Sequence, residues 1–223
     1  MHTTFERDPL DVTVAAWATQ VPGATEVFRR HRIDFCCGGQ RSLREACAAR
    51  DVGPEAVLAE LQQLPRTPMQ APPSTPPELI EHILRRYHDV HRQQLPELIR
   101  LTDKVEAVHR NHPDVPAGLG NLLRQMHEEL LEHMSKEEDV LFPMLRAGGS
   151  AMVHMPIRVM RMEHDAHGEQ LQRLRALTRD MTPPDEACAT WRALYTSLSQ
   201  FVDDLMQHIH LENNVLFPPF ERT

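Results

Sequence analysis

A chain of 223 residues, 41% hydrophobic and 25% charged, has the make-up of an ordinary globular protein with one large domain or two modest ones. A formal net charge of −8 without any basic run argues against nucleic acid as a main partner. The polar start MHTTFERDPL is unlike a signal peptide, no apolar run reaches membrane-spanning length, and four cysteines make no disulfide framework, so the expected location is cytoplasmic.

Residues 1–64 read as a small domain of a few short helices. Ser42-Leu-Arg-Glu45 is a capping box that starts one of them just after the loop DFCCGG, Asp34 to Gly39. Cys36 and Cys37 then lie a few residues ahead of a helix N-terminus, where the dipole and unpaired N–H groups would favour thiolate, and Gly38 and Gly39 would expose the sulfurs. The pair is expected to be redox-active or metal-accepting; the plainer alternative is two small buried residues. Cys47 and Cys188 read as packing residues. Residues 65–77 hold six prolines and read as a semi-rigid extended linker.

Beyond the linker, residues 78–223 read as four long helices: about Glu78–His109, about Ala117–Leu145, one after Gly148-Gly149 with Pro156 in its first turn, and about Asp185–Phe217. Short connections imply an antiparallel four-helix bundle, and the fold class is all-α.

The bundle repeats itself. HMSKEEDVLFP at His133 is echoed by HIHLENNVLFP at His208, and HDVHRQQL at His88 by HDAHGEQL at His164. In the second helix Leu119, Leu123, Met126 and Leu130 form one apolar stripe, which His133 and Glu137 continue. In the fourth, Leu194, Leu198, Phe201 and Leu205 lead into His208 and Glu212 with the same phase. Each His–Glu pair therefore faces the interior, one turn apart. A single buried pair would suit an ordinary core; two pairs with further histidines nearby are costly without a cation. Four imidazoles and two carboxylates exceed the closed set of one structural zinc and suit two irons, with the carboxylates bridging, an oxo or hydroxo bridge, and an open position for O2, NO or peroxide. In the first helix the stripe Ile80, Leu84, Tyr87, Leu95 and Leu98 is centred nearer His91 than His88. In the third, both His164 and His167 lie close to it, so periodicity leaves both choices open. His127, Glu138 and His210 fall off their stripes and are expected, at most, to orient ligands.

These motifs, with DFCCGG, RRYHDVHRQQLPELI, HEELLEHMSKEEDVLFPM, MEHDAHGE and DDLMQHIHLENNVLFP, resemble a hemerythrin-like domain and, over essentially the whole chain, the RIC family of di-iron proteins for repair of iron centres. The resemblance implies His88, His133, His164 and His208 as iron ligands, with Glu137 and Glu212 as bridging carboxylates. It implies a homodimer whose Cys36–Cys37 loop exchanges iron or electrons with the centre, and whose clients are iron–sulfur proteins damaged by nitric oxide or oxidants. Reduction of NO to N2O at the centre, and sensing or carriage of O2 or NO, are the alternative functions.

Overall fold

The structure, a computed structural model, describes residues 8–65 and 75–221. Among these the only regular elements are helices: α1 (Val14–Gln20), α2 (Ala24–Arg30), α3 (Leu43–Ala48), α4 (Pro54–Gln63), α5 (Pro76–Ile83), α6 (Asp89–Val108), α7 (Leu119–Lys136), α8 (Phe142–Arg146), α9 (His154–Leu177), α10 (Ala189–Leu211) and α11 (Pro218–Glu221). Most of the proline-rich stretch expected as a linker lies outside the described residues. Pro76 and Pro77 open α5, first-turn positions where a missing N–H removes no helical bond.

The chain divides into two compact units, Ile80–Leu205 and Met1–Leu79 with Met206–Thr223. In the unit Ile80–Leu205, side-chain pairs set the helix directions. Arg92 meets Glu138 and Asp103 meets Arg124, so α6 and α7 are antiparallel. His133 meets Glu163 and Glu129 meets Gln170, which sets α9 antiparallel to α7. Arg86 and Gln94 reach Asp204 while His109 reaches Cys188, which sets α10 antiparallel to α6. Leu123, Met126, Leu130, Leu174, Leu194, Leu198 and Phe201 fill the space between the helices, each contributing roughly 1.5–3 kcal/mol by leaving water.

In the other unit, Trp17, Phe28, Phe35, Leu43 and Leu61 are buried. The Ser42 capping box forms as its sequence demands, with the Ser42 hydroxyl accepting from the Glu45 N–H and the Glu45 carboxylate accepting from the Ser42 N–H.

Three π-helical turns interrupt the long helices: Leu84–His88, Glu137–Leu141 and Glu212–Leu216. The last two have a cause in the repeated Val-Leu-Phe-Pro. Pro143 and Pro218 lack an N–H for the carbonyl four residues back, and their rings crowd it. The chain widens just ahead, so that the Phe142 N–H donates to the Glu137 carbonyl and the Phe217 N–H to that of Glu212. The first turn has no proline at that spacing, since Val90 stands there, and the local sequence offers no cause. Its extra residue does explain the blurred stripe of the first helix: Ile80 and Ile83 are buried ahead of it, Tyr87 and His88 within it, and His91, Leu95 and Leu98 behind it, so His88 and His91 are both interior, while Leu84 is only half-buried.

Candidate metal centre

In the unit Ile80–Leu205, His88 closes the first π turn, His133 lies on the last turn of α7, Glu137 opens the second π turn and His164 lies on α9. All four side chains are buried. His88 Nε2 stands 3.4 Å and His133 Nε2 3.5 Å from the same Glu137 oxygen, Oε2. His164 Nε2 stands 3.1 Å from His133 Nε2. Ligand atoms of His133, Glu137 and His164 all lie within 4.8 Å of one another.

The far sides of two rings are anchored. His88 Nδ1 donates to Glu138 Oε1 at 2.7 Å, and Arg92 holds both oxygens of that carboxylate at 2.8 and 2.9 Å. His133 Nδ1 donates to Glu163 Oε2 at 2.8 Å, and Lys136 holds the other Glu163 oxygen at 2.7 Å. A neutral imidazole that spends its proton on Nδ1 carries its lone pair on Nε2, so the carboxylates aim both lone pairs inward. The His133 hydrogen bond, helped by Lys136, holds the Glu163 carboxyl down at about 2. The His88 hydrogen bond, helped by Arg92, lowers that of Glu138.

His91 and His167 are as buried as the four, yet their Nδ1 atoms face Gln94 and Gln170, and neither joins a cluster of metal-ligand spacing among the described residues. Glu138, expected at most to orient a ligand, sits where it can orient His88. Glu163, Arg92 and Lys136 had no place in the sequence reading; the one available signal was Glu163's position directly before HDAH.

In the unit Met1–Leu79 with Met206–Thr223, His208 and Glu212 are buried on consecutive turns, Nε2 to Oε1 3.1 Å. The residues beside them hold the cysteine loop. Asn213 Nδ2 donates to the Cys36 carbonyl at 3.2 Å and Asn214 Nδ2 to that of Phe35 at 3.2 Å. His210 packs edge-on against the Phe35 ring, and burial pushes its pKa down to about 4. The Asp34 carboxylate gathers the N–H groups of Cys36, Cys37 and Gly38, each at 3.0 Å.

At Cys36 the loop corrects the thiolate expectation. Cys36 is buried, its Sγ donates to Asp34 Oδ1 at 3.2 Å, and its pKa is raised well above the ordinary thiol value by the Cys37 hydrogen bond, burial and the Asp34 charge. At the start of α3 the Ser42 and Glu45 N–H groups are occupied by the capping box and that of Leu43 by the Val12 carbonyl. The glycines serve close approach, not exposure: a Cβ on Gly39 would lie 2.9 Å from the Phe35 carbonyl, and one on Gly38 3.1 Å from Asp34 Oδ2. Cys37 is half-buried, 3.6 Å Sγ to Sγ from Cys36, and Asp34, Cys36 and Cys37 form a cluster of metal-ligand spacing. Cys188, expected to pack, is exposed with Sγ 3.2 Å from His109 Nε2. Cys47 is buried.

Comparison with known proteins gives two family matches. Residues 79–220 match the hemerythrin HHE cation-binding domain, and residues 10–65 match a domain of unknown function, DUF542. The iron-sulfur cluster repair protein YtfE of Citrobacter koseri is 47% identical over 93% of this chain and 96% of its own length. The chain belongs to the RIC family of hemerythrin-like proteins. The protein of the same name from Dickeya chrysanthemi is 48% identical with the same coverage, and that of Escherichia coli O17:K52:H18 46%.

A RIC protein carries a di-iron centre, and the donor set here fits one. The donors are imidazole and carboxylate without thiolate, the mixture suited to iron. Buried carboxylates beside converging imidazole nitrogens need a cation to offset the cost of dehydration. The outer carboxylates on His88 and His133 are the supports that metal-binding histidines normally have.

Proposed function

We propose that this chain repairs iron–sulfur clusters damaged by oxidative or nitrosative stress, and that His88, His133, His164 and His208 with Glu137 and Glu212 would hold its two irons. One observation carries the ligand reading: His88 and His133 turn their Nε2 lone pairs onto one buried carboxylate while ionised Glu138 and Glu163 hold their Nδ1 protons. The hemerythrin match, residues 79–220, takes in all six ligands. The relatives' name, over nearly the whole chain, supports the activity.

When bound, the irons supply labile iron for clusters that have lost theirs. The chain's own residues hold and release that iron. Neutral imidazoles bind it without a charge of their own, so Glu137 and Glu212 provide the compensating charge. Proton transfer to a ring Nε2 competes with metal, and the Nδ1 anchors set how strongly. The clustered Asp34, Cys36 and Cys37 support a role for the two thiols in passing iron or electrons. The small helical domain over residues 1–64, the linker 65–77 and the bundle 78–223 act together as a cytoplasmic homodimer, and NO and O2 are small-molecule ligands of the centre. No helix among the described residues is long and apolar enough to cross a membrane.

The test is a single iron-loaded sample assayed two ways. It should return activity to a dehydratase whose cluster has been damaged by NO or peroxide. Full iron loading without restoration would sink the repair reading, and multiple-turnover N2O formation from NO with an electron donor would replace it with NO reduction.

A further inference from the structure

The π turn Leu84–His88 has no proline to cause it, so its cause lies in contacts with the rest of the bundle. The duplicated motif supplies an internal comparison. Gln94 lies six residues after His88, and Gln170 six residues after His164. Each glutamine donates through Nε2 to a carboxylate four residues ahead of an HxxxE histidine, Gln94 to Asp204 and Gln170 to Glu129. Two residues before the first histidine the copies part: Arg86 stands ahead of His88 and Met162 ahead of His164. They part in backbone as well. Helix α9 runs unbroken from His154 to Leu177 through His164, whereas the copy with Arg86 is π-helical at His88.

Arg86 Nη2 meets Asp204 Oδ1 at 2.7 Å, while Met162 is exposed. The Asp204 side chain is only 5% exposed, so its charge depends on that cation and on the amides of Gln94, at 2.7 Å, and Gln200, at 3.0 Å. Arg86 lies within the π turn and Gln94 beyond it on α6, so one carboxylate pins both sides of the turn. In unbroken α register these two residues would stand about 80° apart around the helix axis. A π turn advances less per residue and narrows that angle, which brings both side chains to one acceptor. Relaxation to α would swing Arg86 away and leave a nearly dehydrated carboxylate without its cation. Regular hydrogen bonding in a single turn does not offset that loss. We propose that the Arg86–Asp204 ion pair holds Leu84–His88 in π register and so positions His88 for iron. Both residues act through the backbone of the turn and not on the metal. The inference rests on the reading of His88 as an iron ligand.

The test is chelator competition on the iron-loaded full chain, comparing the wild type with three variants. Arg86→Met with Asp204→Asn removes the pair without leaving a buried charge alone. It should bind iron roughly 10–100-fold more weakly, with far-UV circular dichroism unchanged. Adding Val90→Pro to that variant puts a proline where Pro143 and Pro218 follow their own π turns, and it should restore wild-type binding. His88→Ala should bind iron at least as weakly as the variant lacking the pair. Loss of helicity along with iron would show that the pair serves folding and would overturn the proposal. Unchanged binding without the pair, or a loss that Val90→Pro does not repair, would overturn it too. If His88→Ala alone loses affinity, only this inference fails; if His88→Ala holds two irons as tightly as the wild type, the ligand reading fails with it.

Discussion

Glu163 and Glu138 touch no proposed iron, yet they decide how His133 and His88 present their lone pairs. Replacing either by glutamine keeps the shape and removes the charge that fixes the tautomer. We expect Glu163→Gln and Glu138→Gln each to weaken iron binding by roughly 10–100-fold, the usual effect of losing such a support, while the surface change Glu97→Gln leaves it unaltered. Competition with a chelator measures this directly. The cysteines make a second residue-scale prediction. N–H groups of the first turn of α10, Trp191 foremost, and the His109 contact lower the pKa of exposed Cys188, so it holds more thiolate at neutral pH than an ordinary thiol. The Cys37 hydrogen bond and burial do the opposite at Cys36, and burial at Cys47. Brief alkylation followed by mass spectrometry should label Cys188 first and Cys36 and Cys47 last; preferential labelling of Cys36 would contradict the closed loop. At this scale the sequence misled at Cys36, because DFCCGG does not show that the Asp34 carboxylate folds back to accept from the Cys36 thiol or that Asn213 holds the Cys36 carbonyl.

At the scale of the element, the repeated Val-Leu-Phe-Pro is a structural device. Each proline displaces the hydrogen bonding of the turn ahead of it, and that turn opens on Glu137 or Glu212. With Pro143→Ala or Pro218→Ala the ordinary α register becomes accessible and the carboxylate turns away from its place. We expect at least about tenfold weaker iron binding, about 1.4 kcal/mol, with far-UV circular dichroism nearly unchanged. Loss of helicity instead would show that the prolines serve folding. The stripes of the second and fourth helices were legible in the sequence because they reach His133 and His208 in uninterrupted α register. That of the first was not: the π turn at Leu84–His88 adds a residue that a fixed 100° step cannot follow. In the third helix His164 and His167 are three residues apart on one face, and only their different partners separate them.

At the scale of the whole molecule, the all-α class and the presence of a bundle could be read from periodicity and proline positions. The grouping of Met206–Thr223 with the N-terminal residues could not, since it depends on contacts such as Asn213 to Cys36, 177 residues apart in sequence, which leave no periodic trace. Six buried donors that rely on a bound cation should couple iron to folding. Removing iron should lower stability by about 3–4 kcal/mol at iron concentrations 100–1,000 times the dissociation constant, read from denaturant unfolding of the stripped and loaded chain. The central claim is that four imidazoles and two carboxylates hold two irons. Anomalous diffraction at the iron edge from crystals of the loaded protein tests it most directly. It should show two iron peaks, each against two of His88, His133, His164 and His208, with Glu137 and Glu212 touching both. A single peak, or iron bound instead at Asp34, Cys36 and Cys37, would contradict it.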